Sequence, residues 1–135
     1  LDDYGRGFSA TLMTGLFYSA VDYVDARPGM ALLVSGFERL MQTVDLLAMP
    51  TMPRTAPTFE EWSATPPAQR SPFTGVFNIT GQPSVSVPCG FDAANLPIGM
   101  MLCGRPGDDS IVLDAAGAYQ AETTWHLKRP SIPQS

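Results

Sequence analysis

Few side chains in this sequence of 135 residues suit covalent or proton-transfer chemistry, and they lie far apart along the chain. His126 is the one histidine, Lys128 the one lysine, and Cys89 and Cys103 the two cysteines. Cys89 with His126 would make a thiolate–imidazolium pair; Ser84 or Ser86 with His126 and an aspartate would make a triad. Both need a convergence in space that residue order does not supply, and such residues occur together in many inert domains. Glu60 and Glu61 invite a general acid–base reading, yet adjacent residues on a helix do not face each other, and a solvated helix start is the simpler account. Arg105 could receive a carboxylate, but beside Asp108 and Asp109 it reads as a surface ion pair. A lone histidine completes no metal motif, so neither metal nor cofactor is expected.

Any site in this chain must be held by the stretch 73–104, FTGVFNITGQPSVSVPCGFDAANLPIGMMLCG. Phe73, Phe77 and Thr80 recur at helical spacing, and Gly81 can supply the left-handed residue that ends a helix. Val85 and Val87 then alternate with Ser84 and Ser86, which is strand periodicity, and Pro88 is expected to stop it for want of a ladder N–H. Residues 98–103 are almost continuously apolar, as in a strand covered on both faces inside a sheet flanked by helices.

The order and spacing of several short runs carry a resemblance that periodicity alone does not supply. Phe73-Thr74, Phe77-Asn78-Ile79-Thr80-Gly81-Gln82-Pro83, Val85-Ser86-Val87-Pro88-Cys89-Gly90 and Leu96-Pro97-Ile98-Gly99 resemble the C-terminal part of the amidase signature family. Upstream, Asp45-Leu46-Leu47, Pro50-Thr51, Pro53 and Ala56-Pro57 are similar to the family's preceding stretch, and Tyr23, Ala26 and Phe37 extend the likeness into the helices. The resemblance implies an α/β fold with a mixed sheet flanked by helices, and hydrolysis or transfer at carbon–nitrogen amide bonds by a serine nucleophile, a second serine on a cis peptide and a lysine base. This chain holds no Gly-Gly-Ser-Ser-Gly-Gly run, and Lys128 lies in the tail beyond the last expected helix. The implied role is therefore a C-terminal portion, with no catalytic residue of its own, whose partner is the missing N-terminal part of an amidase. In the complete enzyme a small amide would be the substrate.

By the same resemblance, Thr74, Phe77 and Asn78, with Phe73 beside them, match the helix that lines the substrate pocket. Their plainer reading is core packing and helix capping. The charged pair by which glutamine-using amidotransferases would hold a zwitterionic substrate is represented here by Met30 and Ser71. A simple aliphatic or aromatic amide suits such a site better, because a buried charge needs a partner.

Composition bounds the rest. With 44% hydrophobic residues, 16% charged and a net charge of -5, the chain is globular and poorly suited to polyanions, so nucleic acid is not an expected partner. Its apolar runs are too short to span a bilayer, and the first residues lack a signal-peptide pattern; a cytoplasmic protein is expected. The start at Leu1 without an initiator methionine favours a fragment of a single domain, 1–135.

In chain order, Phe8, Leu12, Leu16, Ala20 and Val24 mark a helical stripe over 9–25; Arg27-Pro28-Gly29 interrupts; and Met30, Leu33, Val34, Phe37, Met41 and Val44 mark a second helix. The two are expected to pack on one face of a sheet whose first strand is 45–49. Residues 50–72 carry six prolines and read as a surface loop, with a capping box at Thr58-Phe59-Glu60-Glu61 starting one helical turn near Trp62. Asp108 caps a last helix reaching about residue 122, buried through Ile111, Val112, Ala115, Ala116 and Tyr119, and Trp125-His126 packs the tail back. Three strands and about three helices cannot cover two doubly buried strands, so self-association is expected. A non-catalytic α/β binding or dimerisation module derived from an amidase is the alternative to a hydrolase portion.

Overall fold

The computed structural model describes residues 4–66 and 73–130. Helix α1 (Arg6–Thr14) leads through a 3-10 turn (Gly15–Phe17) into the long helix α2 (Ala20–Met41); strand β1 (Leu47–Pro50) and helices α3 (Phe59–Ala64) and α4 (Gly75–Thr80) follow. A hairpin of β2 (Ser84–Phe91) and β3 (Pro97–Cys103) precedes α5 (Asp109–Glu122) and a closing 3-10 turn, Trp125–Leu127. The strands form one sheet in the order β1-β3-β2. The architecture is α/β with helices on both faces, as expected, but both pairings are antiparallel, so no parallel pair of a mixed sheet occurs among the described residues.

β3 is the central strand, and its apolar run serves two cores because successive side chains point to opposite faces. Met101 and Cys103 pack with Phe77 of α4, joined by Phe37, Leu47, Met49, Phe73 and Val76. Leu102 packs on the other side with Val87, Val112 and Ala116, joined by Val85, Met100 and Tyr119. β1 is an edge strand and only alternates between half-buried and exposed, so the double burial expected of it fails. α4 ends as its sequence predicts, at Gly81 with φ 73°.

Three expectations about where elements start, stop or are capped are corrected. The first helix stops at Thr14 rather than near residue 25, and the second starts at Ala20 and carries Pro28 inside it. The break falls at Ser19 because its Oγ accepts from Asp22 N (3.2 Å) while Asp22 Oδ2 accepts from Ser19 N (2.7 Å), a reciprocal cap that starts a helix there. Pro28 removes one backbone bond from α2 without ending it. Secondly, β2 runs through Pro88, because on an edge strand a missing donor is tolerated, and the register shifts between Pro88 and Gly90, where Cys89 is the extra residue. Thirdly, Asp108 makes no side-chain cap on α5; its Oδ2 lies 3.7 Å from Arg105 Nη1.

α1 and the first half of α2 do not lie on the sheet. Phe8, Leu12, Leu16, Val21 and Val24 are exposed, and α2 packs on α4 through its C-terminal half, where Phe37 meets Phe77 edge-on at 5.7 Å between ring centroids. The C-terminal end of α2 is held from the sheet side by Arg105. Its guanidinium donates to Met41 O through Nε (3.0 Å) and Nη2 (2.9 Å), and to Val44 O through Nη2 (3.0 Å). A residue expected to make a surface ion pair thus satisfies one carbonyl that the helix end leaves free and another just beyond it, while also pairing with Asp45 at 3.5 Å.

Candidate functional site

The chain past β1 keeps to the sheet for one residue more, since Thr51 N donates to Gly99 O at 2.9 Å. That places the Thr51 hydroxyl over β3, where its Oγ1 lies 2.6 Å from Ser86 Oγ of β2. The two hydroxyls meet above Gly99, and a methyl group there would stand 2.9 Å from each oxygen. Gly99 is the residue that lets a hydroxyl pair bridge three strands.

A cavity of about 660 Å³ opens beside this bridge, between the proline-rich loop from Pro50 to Pro57, Trp62 and Thr65, and the start of β3. Its far wall is the β2–β3 turn. Asp92 closes that turn by accepting from Ala94 N and Leu96 N, both at 2.9 Å, and its other oxygen accepts from Thr55 Oγ1 at 2.5 Å, tying the turn to the loop. The Thr55 hydroxyl, followed by the Leu96 and Ala94 amides, holds the Asp92 carboxyl below the usual carboxylate range. α3 begins with the expected capping box: Glu61 Oε2 accepts from Thr58 N at 2.8 Å, and this lowers the Glu61 pKa. Arg54 reaches across the cavity mouth to donate to Thr65 Oγ1 at 3.3 Å. A smaller hollow of about 180 Å³ lies between α2 and the sheet, bounded by Phe37, Met41, Thr80, Gln82 and Arg105.

None of Phe73, Thr74, Phe77 and Asn78 lines the larger cavity. Phe77 is 4% exposed and packed between Phe37 and the sheet; Asn78 is exposed; Phe73 and Thr74 are half-buried, and Thr74 occupies the cap position of α4 without a side-chain capping bond. Met30 lies on α2, and Ser71 lies outside the described residues. Cys89 Sγ donates to Ile98 O at 3.5 Å, and no hydrogen bond joins His126 to Cys89, Ser84 or Ser86 among the described residues. His126 instead sits in the closing turn, where neighbouring Trp125 meets Phe91 of β2 at 6.0 Å. Cys103 is fully buried, and desolvation pushes its thiol pKa up, as befits an inert core thiol. Among the described residues no cluster of His, Cys, Asp and Glu is placed to hold a metal ion.

Ser86 and Thr51 each stand out in the sequence, Ser86 as a candidate nucleophile and Thr51 in the family stretch, but their pairing and the Asp92 tie do not follow from residue order. Their signals were faint: a glycine in an otherwise apolar strand, and a threonine directly after the proline that closes β1.

Residues 9–113 match the family model described as Amidase. This chain belongs to the amidase signature family. It is 35% identical to the A-subunit of glutamyl-tRNA(Gln) amidotransferase from Nostoc sp. over 96% of this chain and 28% of that protein. The chain thus spans less than a third of the length of the curated relatives it matches. Among solved structures, 6-aminohexanoate cyclic dimer hydrolase superposes with a TM-score of 0.77 at 23% identity, covering 96% of this chain and 30% of that one. The glutamyl-tRNA(Gln) amidotransferase A-subunit of Thermotoga maritima superposes with a TM-score of 0.65 at 27% identity, over 90% of this chain and 28% of that one. The first of these likenesses speaks to the fold alone. In both, this chain corresponds to part of a longer polypeptide.

Proposed function

We propose that this chain is the C-terminal portion of an amide hydrolase, supplying core sheet and pocket wall to a site whose serine nucleophile and lysine base lie in another stretch of polypeptide. The observation that carries this reading is the family match over 9–113 in a sequence holding neither the Gly/Ser-rich signature nor a lysine before Lys128. Thr74, Phe73 and Asn78 present the wall, and Phe77 holds α4 on the sheet from beneath. Met30 and Ser71 in place of a charged pair favour a simple aliphatic or aromatic amide. The exposed apolar residues of α1 and α2 supply the surface on which the complementary part, or a second copy, would dock, which also supports an association module as the second reading.

The test is a chimera in which this chain replaces the matching 28% of the Nostoc amidotransferase chain, assayed for hydrolysis of small amides beside the chain alone. The proposal expects turnover by the chimera and none above background by the chain alone. Turnover by the chain alone that survives Cys89→Ala and is lost in His126→Ala would contradict it, and a folded but inert chimera would favour the association module.

A further inference from the structure

The larger cavity is lined by residues of the loop after β1, α3, β2 and β3. Its volume of about 660 Å³ lies within the range of small-molecule sites. Its charged groups are already engaged: Asp92 accepts three hydrogen bonds, and Arg54 donates to Thr65 and attracts the Glu61 carboxylate at the start of α3. One cation beside two carboxylates gives an anion no net attraction, and a carboxylate already accepting three hydrogen bonds has little left for a cation. The Thr51–Ser86 bridge differs. Two hydroxyls hold two protons and one of these closes the bridge at 2.6 Å, so the other remains for an outside acceptor. Around that donor the lining is apolar: Pro50, Met52, Pro53 and Ile98.

We propose that this cavity is a binding site for a small uncharged carbonyl compound, whose oxygen accepts the spare proton of the Thr51–Ser86 bridge while its apolar body lies against Ile98 and the proline loop. The site is distinct from the α4 wall, and binding to it requires no catalytic part. Its test therefore reads independently of whether the chain completes a hydrolase.

The full chain is titrated with acetanilide, and with benzoate and benzylammonium as charged counterparts, while backbone amide shifts are followed by NMR. Acetanilide is expected to move Thr51, Ser86 and Ile98, and the charged compounds to bind at least tenfold more weakly. Ser86→Ala or Thr51→Val alone leaves one hydroxyl with a free proton and should weaken binding only slightly, whereas the double variant should lose about tenfold, the worth of one hydrogen bond. Should the double variant not fold, Ile98→Asp tests the apolar part of the site, because a charge in the lining should abolish acetanilide binding. Absence of acetanilide shifts, benzoate binding as tightly, or full affinity in the folded double variant or in Ile98→Asp would overturn the proposal.

Discussion

Two regions of this chain carry regular apolar patterns to opposite effect. In β3, Met101, Leu102 and Cys103 are each buried, shared between α4 and α5. In α1, the following turn and the first half of α2, Phe8, Leu12, Leu16 and Val24 recur at helical spacing, yet Leu16 is 75% exposed and its neighbour Phe17 85%. Periodicity shows that an element has an apolar face; only neighbouring elements decide whether that face is covered. The central strand has its neighbours within this chain. Among the described residues the N-terminal arm does not.

The largest expected contrast is between two phenylalanines. Phe77→Ala empties a site that is 4% exposed and should cost about 3 to 5 kcal/mol in urea unfolding, whereas Phe17→Ala should stay within about 0.5 kcal/mol. Equal losses would mean that the arm is covered, by self-association or otherwise. A middle effect is expected where the regions join. Arg105→Ala leaves Met41 O and Val44 O without their donor and should cost about 1 to 3 kcal/mol, and Arg105→Lys should recover little, since an ammonium cannot reproduce the planar fork. Full recovery by lysine would reduce the residue to its charge.

The smallest effect is expected from acid. Asp22, Glu61 and Asp92 each have a pKa lowered first by a hydrogen bond, from Ser19, Thr58 and Thr55 respectively. A lowered folded-state pKa stabilises above the ordinary carboxylate range, and that contribution is lost as pH falls through the folded values. Acidification to below the ordinary carboxylate range should therefore loosen the caps of α2 and α3 and the Thr55–Asp92 tie. Thr55→Val should move the Asp92 titration, followed by NMR, back toward its ordinary value. An unmoved titration would show that the turn amides alone hold the carboxylate.

Much of the sheet-bearing part was legible in the sequence, because its signals are local: alternation at Ser84 to Val87, a glycine after Thr80, a capping box at Thr58. What was not legible depends on residues distant in sequence. The break at Ser19 was hidden because Ser19 and Asp22 lie within a continuous helical stripe, and Pro28 is a louder signal than a cap. Pro88 could not be judged without knowing that β2 lies at a sheet edge. The candidate cavity was half visible, as a proline-rich loop after β1, but the Thr51–Ser86 bridge spans 35 residues and exists only because Gly99 lies between them. Arg105 was read against Asp108 nearby, while its strongest contacts lie 61 and 64 residues away.

The central claim is that one region of this chain stands by itself while the other awaits cover, and native-state amide hydrogen exchange tests it most directly. The amides of Met101, Leu102 and Cys103 should open only with global unfolding, and those of α1 and the first half of α2 at a small fraction of that free energy. In the chimera the arm should gain protection while the strand keeps its own. Amides of α1 that exchange as slowly as those of β3 in the isolated monomeric chain would contradict the account.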